Sequence, residues 1–207
     1  MNASTDITAS PSQSRKSDRT RQTILDAAAK LFREQGYRAT TLRQIAGRAK
    51  IKAGSIYYYF DSKDQILDEV LELGIRVIHE AVEKAVADLP EKTSGRMRIE
   101  TAVATHLHTV LQYNDYASAN IQNIRHVSLA ARNRNKDLRR AYAEYWHDLF
   151  DVAKRAGEIG KNVDLSIARL FLLGALNSTI DWYDPKQGST KRLAENFCNM
   201  FFEGSEP

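Results

Sequence analysis

From Ser62 to Leu89 the apolar residues Ile66, Leu67, Val70, Leu71, Ile75, Ile78, Val82, Ala85 and Val86 recur every three or four positions, with no breaker before Pro90. That spacing demands one helix of about 28 residues, roughly 40 Å long at 1.5 Å per residue. A rod of that length can join two separately cored units. Only four Pro and ten Gly occur in 207 residues, so other segments can also run long. With 43% hydrophobic and 27% charged residues the chain can bury a sizeable core.

The same periodicity predicts further helices. The first starts near Arg19, carries Ile24, Leu25, Ala28, Leu31 and Phe32 on one stripe, and stops at Gly36, where a residue of positive φ belongs. Thr41-Leu42-Arg43-Gln44 has the form of a capping box and opens a short second helix ending near Ala49. A third spans about 53–59, with Ile56 and Phe60 on its inner face. Ser62-Lys63-Asp64-Gln65 is another capping box and starts the long helix. Beyond Pro90, helices are expected at 94–113, 117–131, 135–157, 165–183 and 190–202. No strand alternation or repeat is found, so the fold class is all-α with about nine helices.

Charge is divided unevenly. Residues 1–63 hold 12 Lys and Arg against five acids, a net +7, while the remainder carries −3. A basic N-terminal third on a slightly acidic body directs any nucleic-acid partner to the first sixty residues. The organisation expected is a flexible basic arm over 1–17, a DNA-binding unit over 18–63 and a larger helical domain over 64–207. Lone Cys198, a polar N-terminus and the lack of an apolar run of about 20 residues point to a cytoplasmic chain without a membrane partner.

Three short helices, the second and third joined by a tight turn, form a helix-turn-helix plan that lays the last helix in the major groove. With Ile56 and Phe60 turned inward, Ala53, Gly54, Ser55, Tyr57 and Tyr58 face outward, and Tyr59 sits at the edge. Small residues let the backbone approach base edges, and the hydroxyls can meet phosphate or bases. Lys50, Lys52 and Lys63 bracket the helix, Arg43 lies on the one before, and the N–H groups behind Thr41 offer an anion site. Four consecutive rings at Tyr57 to Phe60 span too much of a short helix to be buried together.

These residues resemble a family. Thr40 to Ala46, Ile51 to Phe60 and Ser62-Lys63 leading to Leu67, preceded by Ile24 to Gly36, are similar to the DNA-binding signature of TetR-family bacterial transcriptional regulators. The resemblance covers residues 20–70. It implies an all-helical homodimer on a palindromic operator of double-stranded DNA, with a C-terminal domain for a small-molecule effector, most simply a repressor released by that effector. It places Arg43, Ala53, Ser55 and Tyr57 at bases, and Thr41, Tyr58, Tyr59 and Lys63 at phosphates. Two positions depart from the family pattern, which commonly has Gly at Lys50 and Ser or Thr at Lys52. Lys50 is therefore expected in a strained backbone conformation, and the third helix is expected to lack an N-cap hydroxyl.

The body offers no enzyme constellation: no Gly-rich phosphate loop, HExxH, Cys pair or GxSxG, and no metal or cofactor site. His106 and His108 lie about 200° apart on a helix and cannot share a ligand. Tyr113, Asn123, Arg125, His126, Tyr145, Trp146, Asn177 and Trp182 are the candidates for an effector pocket, with Arg125 suited to an anionic group. The Trp182-Tyr183-Asp184-Pro185 ending resembles that of regulators responding to acyl-CoA thioesters, so an acyl-CoA or another hydrophobic anion is the expected effector. The helix at 165–183 is apolar nearly all round. Leu170, Phe171 and Gly174, with Phe197 and Phe201 of the last helix, are expected to form a dimer contact. The competing class is a helical small-molecule-binding protein or enzyme with an incidental basic N-terminus.

Overall fold

The computed structural model describes residues 11–113, 115–124, 127 and 129–204, with the backbone alone at 11–16, 112, 113, 130–132 and 187. Among the described residues there are nine α-helices and no strand: α1 Pro11–Ala39, α2 Leu42–Arg48, α3 Lys63–Ala87, α4 Gly95–His108, α5 Asp115–Asn123, α6 Leu129–Arg134, α7 Lys136–Arg155, α8 Leu165–Trp182 and α9 Thr190–Glu203. A 3₁₀ helix, Ala53–Tyr58, lies between α2 and α3, and a π segment, Thr109–Tyr113, follows α4. None of these helices is long and apolar enough to cross a membrane.

Helix α1 takes in residues 11–17, which the sequence assigned to the arm, and it breaks at Gly36 (φ 78°, ψ 164°). That conformation suits only glycine. The break lets buried Thr40 return its hydroxyl to the Gly36 carbonyl at 2.8 Å. Thr41 then forms the expected box: its Oγ1 accepts from the Gln44 N–H and Gln44 Oε1 accepts from the Thr41 N–H. At the start of α3 the second box is shifted by one residue. Ser62 Oγ accepts from Gln65, but Gln65 Oε1 accepts from the N–H of Asp61 rather than that of Ser62.

Helix α3 belongs to two cores. Ile66, Leu67, Val70 and Leu71 pack with Ile24, Phe32, Ile45, Ile56 and Phe60, so the N-terminal unit continues past Lys63. Further along, Ile78, Val82 and Val86 join the body core around Trp146, Phe150 and Phe202. Between the two stands Gly74. A Cβ there would lie 2.4 Å from the Tyr116 carbonyl oxygen, so glycine is what allows α5 to lie against α3.

The single helix expected over 117–131 is instead α5 and α6. The chain leaves α5 after Asn123, and Ile124 and Val127 pack on the N-terminal core. No Gly or Pro marks that exit, because the tertiary contact and not a local breaker makes it. α5 is also bonded to α1: Tyr116 donates to Asp26 at 2.6 Å and Arg33 pairs with Asp115 at 2.8 Å.

Candidate nucleic-acid interface and effector cavity

The 3₁₀ helix is fixed from inside by Ile56 and Phe60, both essentially inaccessible, and it presents Tyr57 (63% exposed) and Tyr58 (79%) outward. Ala53, Gly54 and Ser55 are exposed beside them, and a Cβ built on Gly54 meets nothing within 4 Å. This is the small-residue surface expected of an element that approaches a partner backbone closely. Tyr59 is half-buried, with its ring edge-on to Tyr58 at 5.0 Å.

Exposed Thr41, Arg43, Lys50 and Lys52 surround this helix, and among the described residues no ion pair engages Arg43, Lys50 or Lys52. Arg48, by contrast, is paired with Glu34 at 2.7 Å. Lys50 has φ 56°, the only positive value at a described non-glycine residue, so the strain expected from its place in the turn is present. Lys52 is the N-cap of the 3₁₀ helix and makes no side-chain cap bond, also as expected.

Lys63, expected at a phosphate, is engaged by the protein itself. Its ammonium donates to the carbonyls of Tyr37 (2.9 Å) and Thr40 (2.7 Å) and lies over the Tyr37 ring at 4.0 Å. It therefore holds the α1–α2 junction to the start of α3. Tyr37 reinforces this by donating its hydroxyl to Asp64 at 2.6 Å, and burial together with that carboxylate pushes its phenol pKa up.

In the body, α3, α4, α5, α7 and α8, with Ile124 just beyond α5, line a partly open cavity of about 280 Å³. Ile75, Ile78, Ile121, Ile124 and Leu173 make it apolar, while Asn120, His106, Tyr142, Asn177 and Arg139 give it polar groups. His106 Nδ1 lies 2.9 Å from the Tyr142 hydroxyl and Nε2 lies 3.2 Å from Asn177 Oδ1. Burial pulls the His106 pKa down to about 4, so the ring is neutral, which lets it accept from Tyr142 and donate to Asn177. Asn120 donates to the Leu71 carbonyl at 2.6 Å and so ties this wall to α3.

Of the sequence candidates for this pocket, Asn177 lines the cavity. Asn123 does not: its Oδ1 accepts from the Tyr37 N–H and its Nδ2 donates to the Phe32 and Ala119 carbonyls, which bonds α5 to α1. Trp146 is wholly buried in the body core, and Tyr145 packs half-buried on His79 with ring centroids 5.5 Å apart. Trp182 is 57% exposed and borders a separate cleft with Tyr183 and Arg192. Arg125, His126 and the side chain of Tyr113 lie outside the described residues.

Tyr142, one of the aromatic residues the sequence offers for a pocket, lines the cavity, whereas His106, Arg139 and Asn120 are not among the sequence candidates. For His106 a signal existed: it falls on the apolar stripe of Ile99, Ala102, Val103 and Val110, where a polar residue must find buried partners.

An exposed helix-turn-helix surface whose Arg43, Lys50 and Lys52 meet no acid among the described residues, set on an all-helical body that holds a mostly apolar cavity, defines a DNA-binding regulator. The chain belongs to the TetR family: it matches the family described as "Bacterial regulatory proteins, tetR family" over residues 24–70 and that described as "Tetracyclin repressor-like, C-terminal domain" over 92–205. It is 28% identical over 188 residues to the HTH-type transcriptional repressor KstR2 of Rhodococcus jostii (strain RHA1), covering 89% of this chain and 90% of that one. It is 24% identical over 157 residues to the fatty acid metabolism regulator protein of Bacillus subtilis (strain 168), covering 76% and 79%. The structure of AibR in complex with isovaleryl coenzyme A and operator DNA superposes with a TM-score of 0.78 at 19% identity, over 88% of this chain and 98% of that one. Its relatives are transcriptional regulators, and it is not an enzyme.

Proposed function

We propose that the protein is a ligand-responsive repressor: a homodimer that binds a palindromic operator and lets go when a small hydrophobic or acyl-CoA-like effector enters the body cavity. The observation that carries this reading is the pairing of an outward Tyr57-Tyr58 surface among exposed cations with a mostly apolar cavity whose wall, α5, is also bonded to α1. Arg43, Lys50, Lys52, Ala53, Gly54, Ser55, Tyr57 and Tyr58 meet the DNA. The cavity's isoleucines take the apolar part of the effector, the neutral His106–Asn177 pair reads a carbonyl or hydroxyl, and Arg139 faces negative charge.

A stripe on α8 supports the dimer. Ile167, Leu170 (63% exposed), Phe171 (75%), Gly174 and Trp182 leave a continuous apolar face uncovered in the single chain. Phe197 and Phe201 contribute less, since both pack partly into the body core, Phe201 against Phe150 at 5.5 Å. Two copies joined through α8 set a fixed distance between their 3₁₀ helices, and half-sites about 34 Å apart, or a multiple of that, suit only one such distance.

The test is binding of the purified chain to a duplex carrying its own promoter region and to random duplex at equal salt. Preference for the promoter by more than about a hundredfold supports the regulator. Equal binding, or none, favours a ligand-carrying protein with an incidental basic N-terminus.

A further inference from the structure

The cavity does not end at its apolar lining. Ala143 of α7 borders it and also borders a shallow groove between α7 and α8 that contains Arg140, Glu144, His147 and Arg169. Arg169 stands four residues before Leu173 on α8, so the groove continues the cavity towards solvent along the same two helices.

The groove is basic in an unbalanced way. Arg140 pairs with Glu144 at 2.9 Å, but among the described residues Arg169 has no ion pair, and its Nε is buried without an acceptor. A guanidinium partly withdrawn from water and lacking an acceptor is costly unless an anion completes it. At about 280 Å³ the cavity lies at the small end of the roughly 300–1,000 Å³ that ligand sites usually offer. An effector as large as a coenzyme A thioester would fit its acyl end there and leave the remainder outside.

We infer that the α7–α8 groove is an anion subsite for the phosphates of the effector whose apolar end fills the cavity. This rests on the effector reading above and assigns the chemistry of its outer half. Arg169 supplies a planar donor pair to a phosphate, Arg140 turns from Glu144 to a second, and the connecting arm passes Ala143. Asn177 and His106 lie at the inner end of the path, where the thioester carbonyl arrives.

The experiment uses calorimetry with three probes on the full chain: butyryl-coenzyme A, butyryl-pantetheine, which lacks the nucleotide, and adenosine 3′,5′-bisphosphate. Arg169→Gln and Arg140→Gln should each weaken butyryl-coenzyme A and the bisphosphate by about tenfold or more and leave butyryl-pantetheine unchanged. Arg140 is exposed, so its variant reports binding even if Arg169→Gln lowers the melting temperature. Leu173→Trp fills the cavity and should abolish the butyryl preference while sparing the bisphosphate. Absence of bisphosphate binding to the unmodified chain, or equal loss of all three probes in either arginine variant, overturns the subsite. Bisphosphate binding that needs Arg169, with no gain from the butyryl group, keeps the subsite and removes the cavity reading instead.

Discussion

The proposed DNA-facing surface draws its chemistry from one continuous stretch, residues 41–58, in which Thr41, Arg43, Lys50, Lys52, Tyr57 and Tyr58 are exposed while Ile45, Ala46 and Ile56 are buried in a small core. The cavity draws one to three residues from each of five helices between Ile75 and Asn177, and its polar groups are inside. The first is specified by local order: a cap at Thr41, a turn at Lys50, two anchors at Ile56 and Phe60. The second exists only after α3, α4, α5, α7 and α8 have packed. Local chemistry can therefore be changed at the surface with little effect on folding, whereas in the body site and core share the same atoms.

The contrast is sharpest for large aromatic residues. Trp146→Ala should destabilise the chain by about 3–5 kcal/mol in denaturant unfolding, because it empties a wholly buried site in the body core. A loss under about 1 kcal/mol would show the body to be far looser than its packing. His106 yields the next effect. Its pKa is near 4 when folded and near 6.5 when unfolded, so the unfolded chain binds the extra proton between those values. Stability should be complete above pH 6.5 and fall by up to about 3 kcal/mol as pH drops through 6.5 towards 4. His106→Asn should flatten that limb, and an unchanged limb would place the titrating group elsewhere.

At the surface the order of effects reverses. Tyr57→Ala should cost operator affinity about tenfold, equivalent to roughly 1.4 kcal/mol, while leaving the melting temperature within a degree or so. A drop in melting temperature without loss of DNA binding would make Tyr57 a packing residue. Smallest is Lys50→Gly, which should lower the slope of log affinity against log salt by about 0.9, since one phosphate contact is removed. An unchanged slope means that Lys50 lies away from the backbone of the DNA.

The same contrast explains what could be read before the structure. The Thr41 box and the inward pair Ile56 and Phe60 follow from neighbours within a few positions, while the positive φ at Lys50 and the bare cap at Lys52 follow from where those residues depart from the family pattern. The ammonium of Lys63, placed at a phosphate by the resemblance, is held by carbonyls more than twenty residues away, a contact no local spacing encodes. Asn123 is a pocket candidate by its sequence alone. Its amide is in fact occupied by α1, a contact that no spacing within its own helix encodes. The long helix was legible as a rod, but its division between two cores depends on Gly74 and the approach of α5.

That approach joins the two regions. Asn120 and Ile121 face the cavity from α5, while Tyr116 and Asn123 on the same helix hold α1, so, under the proposed function, displacement of α5 by a bound effector would carry the N-terminal unit with it. The direct measurement is fluorescence anisotropy of a promoter duplex titrated with the chain in the presence of butyryl-, octanoyl- or palmitoyl-coenzyme A. At least one of them should lower DNA affinity by about tenfold or more in the unmodified chain. None should do so in Leu173→Trp, whose cavity is filled. No response to any of the three, or an equal response in both proteins, would contradict control of the DNA-binding surface from the cavity.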